Sequence, residues 1–362
     1  MKTISGGGVS NYGFNLVQTI RFAFNTNQYN IYSNGYEKAG CFEKLNPITL
    51  NKNIIYKIPW VRRYFVKDFY RQIWPHYLDF NKYDIYHPLS QFIDTASLPK
   101  NCKMIFTAYD ITPLVHKGEY PEHWIKRHTD IKQSIDRASS VICISKQTQS
   151  DLMDAFNIPK DKLKIIYLGL EQSWHDIEPP PQEKRGNYIL FVGVHGPRKN
   201  IAGLIKSFNI VVQKNKGLSL KLVGAETEYT VGLKKLSRGL GLSDKIDFIG
   251  PVNDQQLKEL YCKARGFVFP SFYEGFGLPL LEAMACGTPV VCSNRGALPE
   301  IGKKHCTYFN PNNIEEMSDK ITYILNNPND MISKMSAAKE YCRQFTWQRT
   351  AVETQKVYES II

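Results

Sequence analysis

FPSFYEGFGLPLLEAMACGTPVV, residues 269–291, sets Glu274 and Glu282 eight positions apart across a glycine-rich turn that runs into a short helix. Pro279 suits the first helical position, where its missing N–H costs nothing, and Gly287 suits the left-handed residue that follows Cys286. The pattern predicts Glu274 in the turn and Glu282 on the first turns of the helix. Gly275 and Gly277 let the backbone come close to a ligand, with helix N–H groups aimed at it. Such a corner can take phosphates at the helix end and hydroxyls on the two carboxylates, as a sugar diphosphate would require. Spacing alone leaves a second reading open, a strand–turn–helix corner whose glutamates are simply solvated.

Outward from this corner, apolar runs alternate with amphipathic segments. Strands are predicted at 187–193, 218–224, 245–250, 266–270 and 288–293. Between the first two, Ile201, Leu204, Ile205, Phe208, Val211 and Val212 recur at helical spacing. Strands separated by helices predict a doubly wound parallel sheet, with ligands at the carboxyl ends of its strands. The first half repeats the pattern at 83–87, 103–110, 140–145 and 164–169. HDIEPPPQEKRG (175–186) has the composition of a linker.

A chain of 362 residues exceeds the usual size of one core, so two domains are expected. A hydrophobic share of 43% and a charged share of 22% describe a globular protein, not a disordered one. No run approaches the roughly 18–20 apolar residues of a spanning helix. The start, MKTISGGGVSNYGF, lacks a signal peptide's apolar region. The expected location is therefore cytoplasmic, including the peripheral inner face of the cytoplasmic membrane. The eight cysteines are scattered without metal-ligand spacing, and no two aspartates are separated by one residue, so no metal site is expected. A net charge of +12 calls for an anionic partner, and charge alone does not choose among nucleotide phosphates, lipid and nucleic acid. No nucleic-acid motif accompanies it, so nucleic acid is not an expected partner.

The motif S-x-x-E-G-F-G-L-P-x-x-E-A-M-A-x-G-x-P-V-V, matched from Ser271 to Val291, resembles the signature of the family 4 retaining glycosyltransferases. The resemblance implies the GT-B fold, two Rossmann-like α/β domains of doubly wound parallel sheet facing each other across a cleft. It would divide the chain into an acceptor-binding domain 1–174, a linker 175–186, a nucleotide-sugar-binding domain 187–345 and a helix 346–362 crossing back to the first domain. It further implies transfer of a hexose such as mannose or rhamnose, with retention, from a nucleotide-diphosphate sugar to a glycan or lipid-linked glycan. Bacterial surface-polysaccharide assembly is the implied setting. No cofactor is implied beyond the donor itself. By the same resemblance Glu274 contacts the donor sugar, Glu282 holds the ribose, and Gly275, Phe276, Gly277 and Leu278 complete that side of the donor site. Gly224 and Val252 join them as donor-binding positions.

Gly193-Val194-His195-Gly196-Pro197-Arg198-Lys199-Asn200 leads into the helix that starts near Ile201, with Asn200 as its expected N-cap. Arg198 and Lys199 project at the helix's positive end with no acid in the loop, an arrangement that favours an incoming anion over a solvated turn. The segment is similar to the family's G-x-x-x-P-R-K-N, whose lysine contacts the donor diphosphate. Many relatives have arginine where this chain has Val194, a charge that Arg198 can replace. Gly193, Arg198 and Lys199 are thus donor-binding candidates, the two cations catalytic as well.

Gly6-Gly7-Gly8 precedes a helix-like segment, Ser10–Phe24, with Phe14, Val17, Ile20 and Phe24 on one face. As a dinucleotide fingerprint it fails, since the third glycine would fall at Asn11. The resemblance brings Gly8 toward the diphosphate. Only MKTIS precedes the loop, so the first strand is expected to be short. Tyr109 and Asp110 end a strand, and the resemblance sets them beside the acceptor, with Asp110 a catalytic candidate. The residues alone equally allow Asp110 to cap the turn at Thr112-Pro113.

Residues 52–78 mix six basic residues with eight aromatics and one acid. Two readings stand: a helix lying on an anionic membrane surface, or a domain helix with a buried aromatic face. Two rival functions remain beside the transferase, a catalytically silent nucleotide-sugar or glycan-binding module and a nucleotide-sugar epimerase.

Overall fold

Helices between successive strands return the chain to the same end of a sheet, so the strands pair in parallel. A computed structural model describes residues 102–362 and, before them, 13, 15–20, 32–33, 48–49, 84–89 and 91–92. β1 (Tyr32–Ser33) and β2 (Ile48–Thr49) form a short parallel pair. β3 (Ile85–Tyr86), β4 (Lys103–Ala108), β5 (Ser140–Cys143) and β6 (Leu163–Ile165) make a parallel sheet in that order. α1 (Glu122–Arg137) and α2 (Lys146–Phe156) connect its later strands. Residues 15–20 are helical, and Leu16 and Ile20 are buried while Val17 is half-buried. Of the apolar face expected from Phe14, Val17, Ile20 and Phe24, Ile20 is buried and Val17 half-buried, Leu16 is buried with them, and Phe14 and Phe24 lie outside the described residues.

The second sheet holds six parallel strands. They are β7 (Tyr188–Val192), β8 (Ser219–Val223), β9 (Ile246–Ile249), β10 (Gly266–Phe269), β11 (Val290–Ser293) and β12 (Thr307–Phe309). Their order is β12-β11-β10-β7-β8-β9. The chain starts in the middle at β7, winds outward one way, then returns to β10 and winds the other way. The switch point between β7 and β10 opens a crevice at the strands' carboxyl ends. The intervening helices are α3 (Ile201–Lys214), α4 (Glu228–Gly239), α5 (Asp254–Lys263) and α6 (Leu278–Ala285). All six apolar positions read on α3 are buried. Capping boxes at Thr227 and Asn253 start α4 and α5.

α7 (Ile314–Asn326) and α8 (Pro328–Cys342) follow β12, and α9 (Trp347–Glu359) closes the chain. α9 crosses back to the first sheet, where Val357 packs with Ile105, Ile142 and Ile166. Tyr358 OH lies 2.7 Å from His87 Nδ1, and Leu170 N donates to Phe345 O at 2.9 Å. Within the proline-rich segment, Arg185 donates to Ala264 O at 2.9 Å and Gly287 O at 2.8 Å. Its end is thus docked on the second sheet's domain and is not a loose spacer. Among the described residues no helix is long and apolar enough to cross a membrane.

Candidate active site

The loops after β7 and β10 flank the switch point, and each contributes charge. After β7, Gly193 N donates to Val223 O at 2.9 Å, and Gly224 follows β8 beside it. A single 3-10 turn, Pro197–Lys199, then aims Arg198 and Lys199 toward the loop after β10. Asn200 stands at the N-cap position of α3 but is left-handed, with φ 51°, and makes no side-chain cap. Its amide donates instead to Pro311 O at 2.8 Å, which corrects the expected capping role.

Lys199 Nζ lies 2.5 Å from Glu274 Oε1, and Arg198 Nη1 lies 3.0 Å from Glu274 Oε2. Arg198 Nη1 also donates to Tyr273 O at 2.5 Å. The two cations that lack an acid in their own loop therefore share one supplied 75 residues away. Glu274 is 8% exposed. Burial alone would raise its carboxyl, but Arg198 and then Lys199 outweigh that and hold it at about 2. Burial also lowers the Lys199 amine, even with Glu274 beside it.

Gly277 is the N-cap of α6, with φ 110°, so Pro279 is the second helical residue and not the first. At the far end Gly287, φ 60°, and Thr288 donate to Met284 O and Ala283 O at 3.0 and 2.9 Å. Those two hydrogen bonds make the left-handed stop read from the sequence. Glu282 sits on the second turn of α6 and accepts from Tyr261 OH at 3.0 Å. Burial pushes its carboxyl up to about 7 against that hydrogen bond. Leu278 opens α6, half-buried against the core, and Phe276 turns its ring into the core between Tyr167 and Phe345. Only the Phe276 backbone is left to face a ligand. Val252, half-buried, lies just before the cap of α5.

From the facing sheet, Asp110 Oδ1 accepts from Thr112 N at 3.0 Å and Thr112 Oγ1 at 2.7 Å. The turn-capping reading of Asp110 is therefore realised, with its other oxygen directed to Gly275, 3.6 Å from where a Cβ would stand. Tyr109 OH donates to Leu89 O at 2.7 Å. A Cβ on Gly275 would lie 2.7 Å from Tyr109 O and 2.8 Å from Asp110 Cβ. The smallness of Gly275 serves this seam between the two sheets' domains.

Several partners here were not anticipated. Tyr261 holds Glu282, Glu300 accepts from the N–H groups of Lys146 and Gln147 at 2.8 and 3.2 Å, and Ser145 reaches Gly275 O at 2.7 Å. Ser145 alone had a local signal, an N-cap opening α2. Gly8 and segment 52–78 lie outside the described residues.

Comparison with known proteins places this geometry in context. The family model described as "Glycosyl transferases group 1" matches residues 172–344, and "Glycosyltransferase Family 4" matches residues 6–174. The chain is 30% identical over 268 residues to the O-antigen chain mannosyltransferase B of Escherichia coli, covering 71% of this chain and 70% of that one. It is 30% identical over 239 residues to the O-antigen chain mannosyltransferase RfbU of Salmonella typhimurium, covering 62% of this chain and 65% of that one. The solved structure of Anabaena Alr3699/HepE in complex with UDP and glucose has a TM-score of 0.75 and 17% identity, covering 99% of this chain and 98% of that one. At that identity the likeness is one of fold.

Proposed function

This chain belongs to family 4 of the glycosyltransferases, the group 1 enzymes with the GT-B fold, and on that premise we propose that it moves a hexose from a nucleoside-diphosphate sugar to a hydroxyl of a glycan or glycolipid, with retention. The observation that carries this reading is the Arg198–Glu274–Lys199 cluster at the switch point, with Glu282 eight residues along on α6. The O-antigen mannosyltransferases among its relatives favour mannose, or a similar hexose, and surface-polysaccharide assembly.

Transfer breaks the bond between the anomeric carbon and the diphosphate oxygen, leaving negative charge on the diphosphate. Arg198 and Lys199 are preorganised to take that charge, which is the largest kind of stabilisation a protein offers such a step. We read the mechanism as metal-independent for this reason: the charges needed at the leaving group are side chains. Before the donor arrives, Glu274 is their counter-ion. As the diphosphate takes over the cations, a Glu274 oxygen becomes available to accept a sugar hydroxyl. Glu282 accepts from the ribose. The acceptor hydroxyl approaches the same face of the sugar from the Tyr109–Asp110 side, its oxygen bonds to the anomeric carbon as the diphosphate leaves, and its proton passes to the departing diphosphate oxygen.

A release and transfer screen over GDP-mannose, GDP-fucose, dTDP-rhamnose and UDP-hexoses tests the proposal. Turnover of one of these, lowered about a hundredfold in Lys199→Ala, is expected. Binding of a nucleotide sugar without release or transfer under any acceptor condition would favour a silent binding module instead.

A further inference from the structure

The turn that carries Glu274 is held from both domains. On its own side Phe272 N donates to Arg198 O at 2.9 Å, and Ala297 N donates to Glu274 O at 3.0 Å. From the facing side Ser145 Oγ donates to Gly275 O at 2.7 Å, and Asp151 Oδ2 accepts from Tyr273 OH. Asp151 lies on α2, is 8% exposed, and takes Gln147 Nε2 on its other oxygen at 2.8 Å. Among the described residues no Lys or Arg forms an ion pair with it. A buried carboxylate served only by neutral donors costs stability, and an apolar pair would fill the same space without that cost. Stability therefore does not account for a carboxylate at this position.

Tyr273 links that carboxylate to the site. Its hydroxyl is pushed well up by burial, then by Asp151 and Asp110, so it stays protonated and donates. Its carbonyl takes Arg198 Nη1 at 2.5 Å, and the adjacent Glu274 carboxylate takes the same nitrogen at 3.0 Å. Resting on the reading that Glu274 serves sugar transfer, we infer that Asp151 is a positioning residue that fixes the Glu274 turn through Tyr273 from the facing domain. The carboxylate is then set only while the two domains touch. The chemistry stays with Glu274, Arg198 and Lys199.

Hydrogen exchange of the full chain, read by mass spectrometry on the segment 272–279, tests this without any substrate. Asp151→Ala and Tyr273→Phe are each expected to speed exchange there by about tenfold, as a local opening made easier. The double variant should add little to either single change, and Asp151→Asn, which keeps an acceptor, should restore most of the protection. With GDP-mannose as donor, both variants should lower kcat by about ten- to a hundredfold, the range for slight misplacement of a reacting group. KM for GDP-mannose should stay within about twofold, as expected when ground-state binding is untouched. Tyr273→Phe keeps the ring packed against His116 and guards against simple misfolding. Exchange at 272–279 equal to the parent in both variants would overturn the inference. So would a lower melting temperature with unchanged exchange and kcat, which would make the pair ordinary packing. If the parent turns over none of the nucleotide sugars, the proposed function fails, and the exchange result still decides the role of Asp151.

Discussion

Lys199 Nζ lies 2.5 Å from Glu274 Oε1, tying the loop that follows β7 to the loop that follows β10 across the sheet's switch point. The pair does two things. It neutralises a carboxylate that is nearly inaccessible, and on the proposed function it holds the ammonium group that the leaving diphosphate would take over.

Lys199→Ala is therefore expected to lower turnover by about a hundredfold, the order for one preorganised charge at a developing anion. It should also lower stability by about 3 kcal/mol, because Glu274 stays buried with Arg198 as its remaining partner. Kinetics beside thermal melting separate the two effects. Turnover of the parent should persist in EDTA; its abolition, with rescue by manganese, would overturn the metal-independent reading.

Glu282 gives the protein a pH signature. Burial pushes its carboxyl up to about 7, Asp254 and Glu171 add to this, and Tyr261 and Lys258 oppose it. Unfolded, it titrates near its ordinary 4.5, so between 4.5 and 7 the folded state binds more protons. Its contribution to stability accordingly falls as pH rises through that window. Glu282→Gln should remove the fall, and denaturant unfolding at about pH 4, 6 and 8 would show the variant gaining on the parent toward the alkaline end. Donor affinity of the parent should move the other way, rising as Glu282 ionises and becomes a stronger acceptor for ribose. Glu274 behaves oppositely: held at about 2, it contributes stability above 4.5 that is lost as pH falls toward 2.

Gly275→Ala tests the seam between the domains. The added methyl would stand 2.7 Å from Tyr109 O and 2.8 Å from Asp110 Cβ, so backbone must move. A loss of about 1–3 kcal/mol is expected from such overpacking, with reduced turnover. Affinity for free GDP or UDP should be affected less, because the clash is with the facing domain. Gly232→Ala, on α4 with nothing within 4 Å, is the control, and there alanine should stabilise by up to about 1 kcal/mol. Equal stability and turnover in the parent and Gly275→Ala would mean that the domains do not meet there in solution.

The second sheet was legible because β7, β10 and β11 are buried, largely apolar runs, β8 and β9 interrupt apolar positions with only Lys221 and Asp247, and α3 repeats its six core positions without interruption. β12 was not, since Thr307–Phe309 is too short to stand out from its surroundings. The glutamates were placed correctly on turn and helix by Gly277 and Gly287, whose conformations are dictated locally. Their partners were not legible. Lys199 reaches Glu274 across 75 residues and Tyr261 reaches Glu282 across 21, and nothing local records either pairing. The absence of an acid from their own loop marked Arg198 and Lys199 as anion-seeking, but did not reveal that Glu274 is their counter-ion. Gly275 was read only as room for a ligand, and nothing local recorded that its Cβ side faces Tyr109 and Asp110.

Steady-state kinetics of Glu274→Gln beside Glu282→Gln, at donor concentrations carried to saturation, test the central assignment most directly. Glu274→Gln should lower kcat by about a hundredfold while donor KM stays within a few-fold of the parent. Glu282→Gln should weaken donor binding by about 1 kcal/mol, the difference between a charged and a neutral acceptor for the same hydroxyl, and leave saturated kcat close to the parent's. If both variants bind and turn over the nucleotide sugar as the parent does, the corner at 269–291 is not the transfer site.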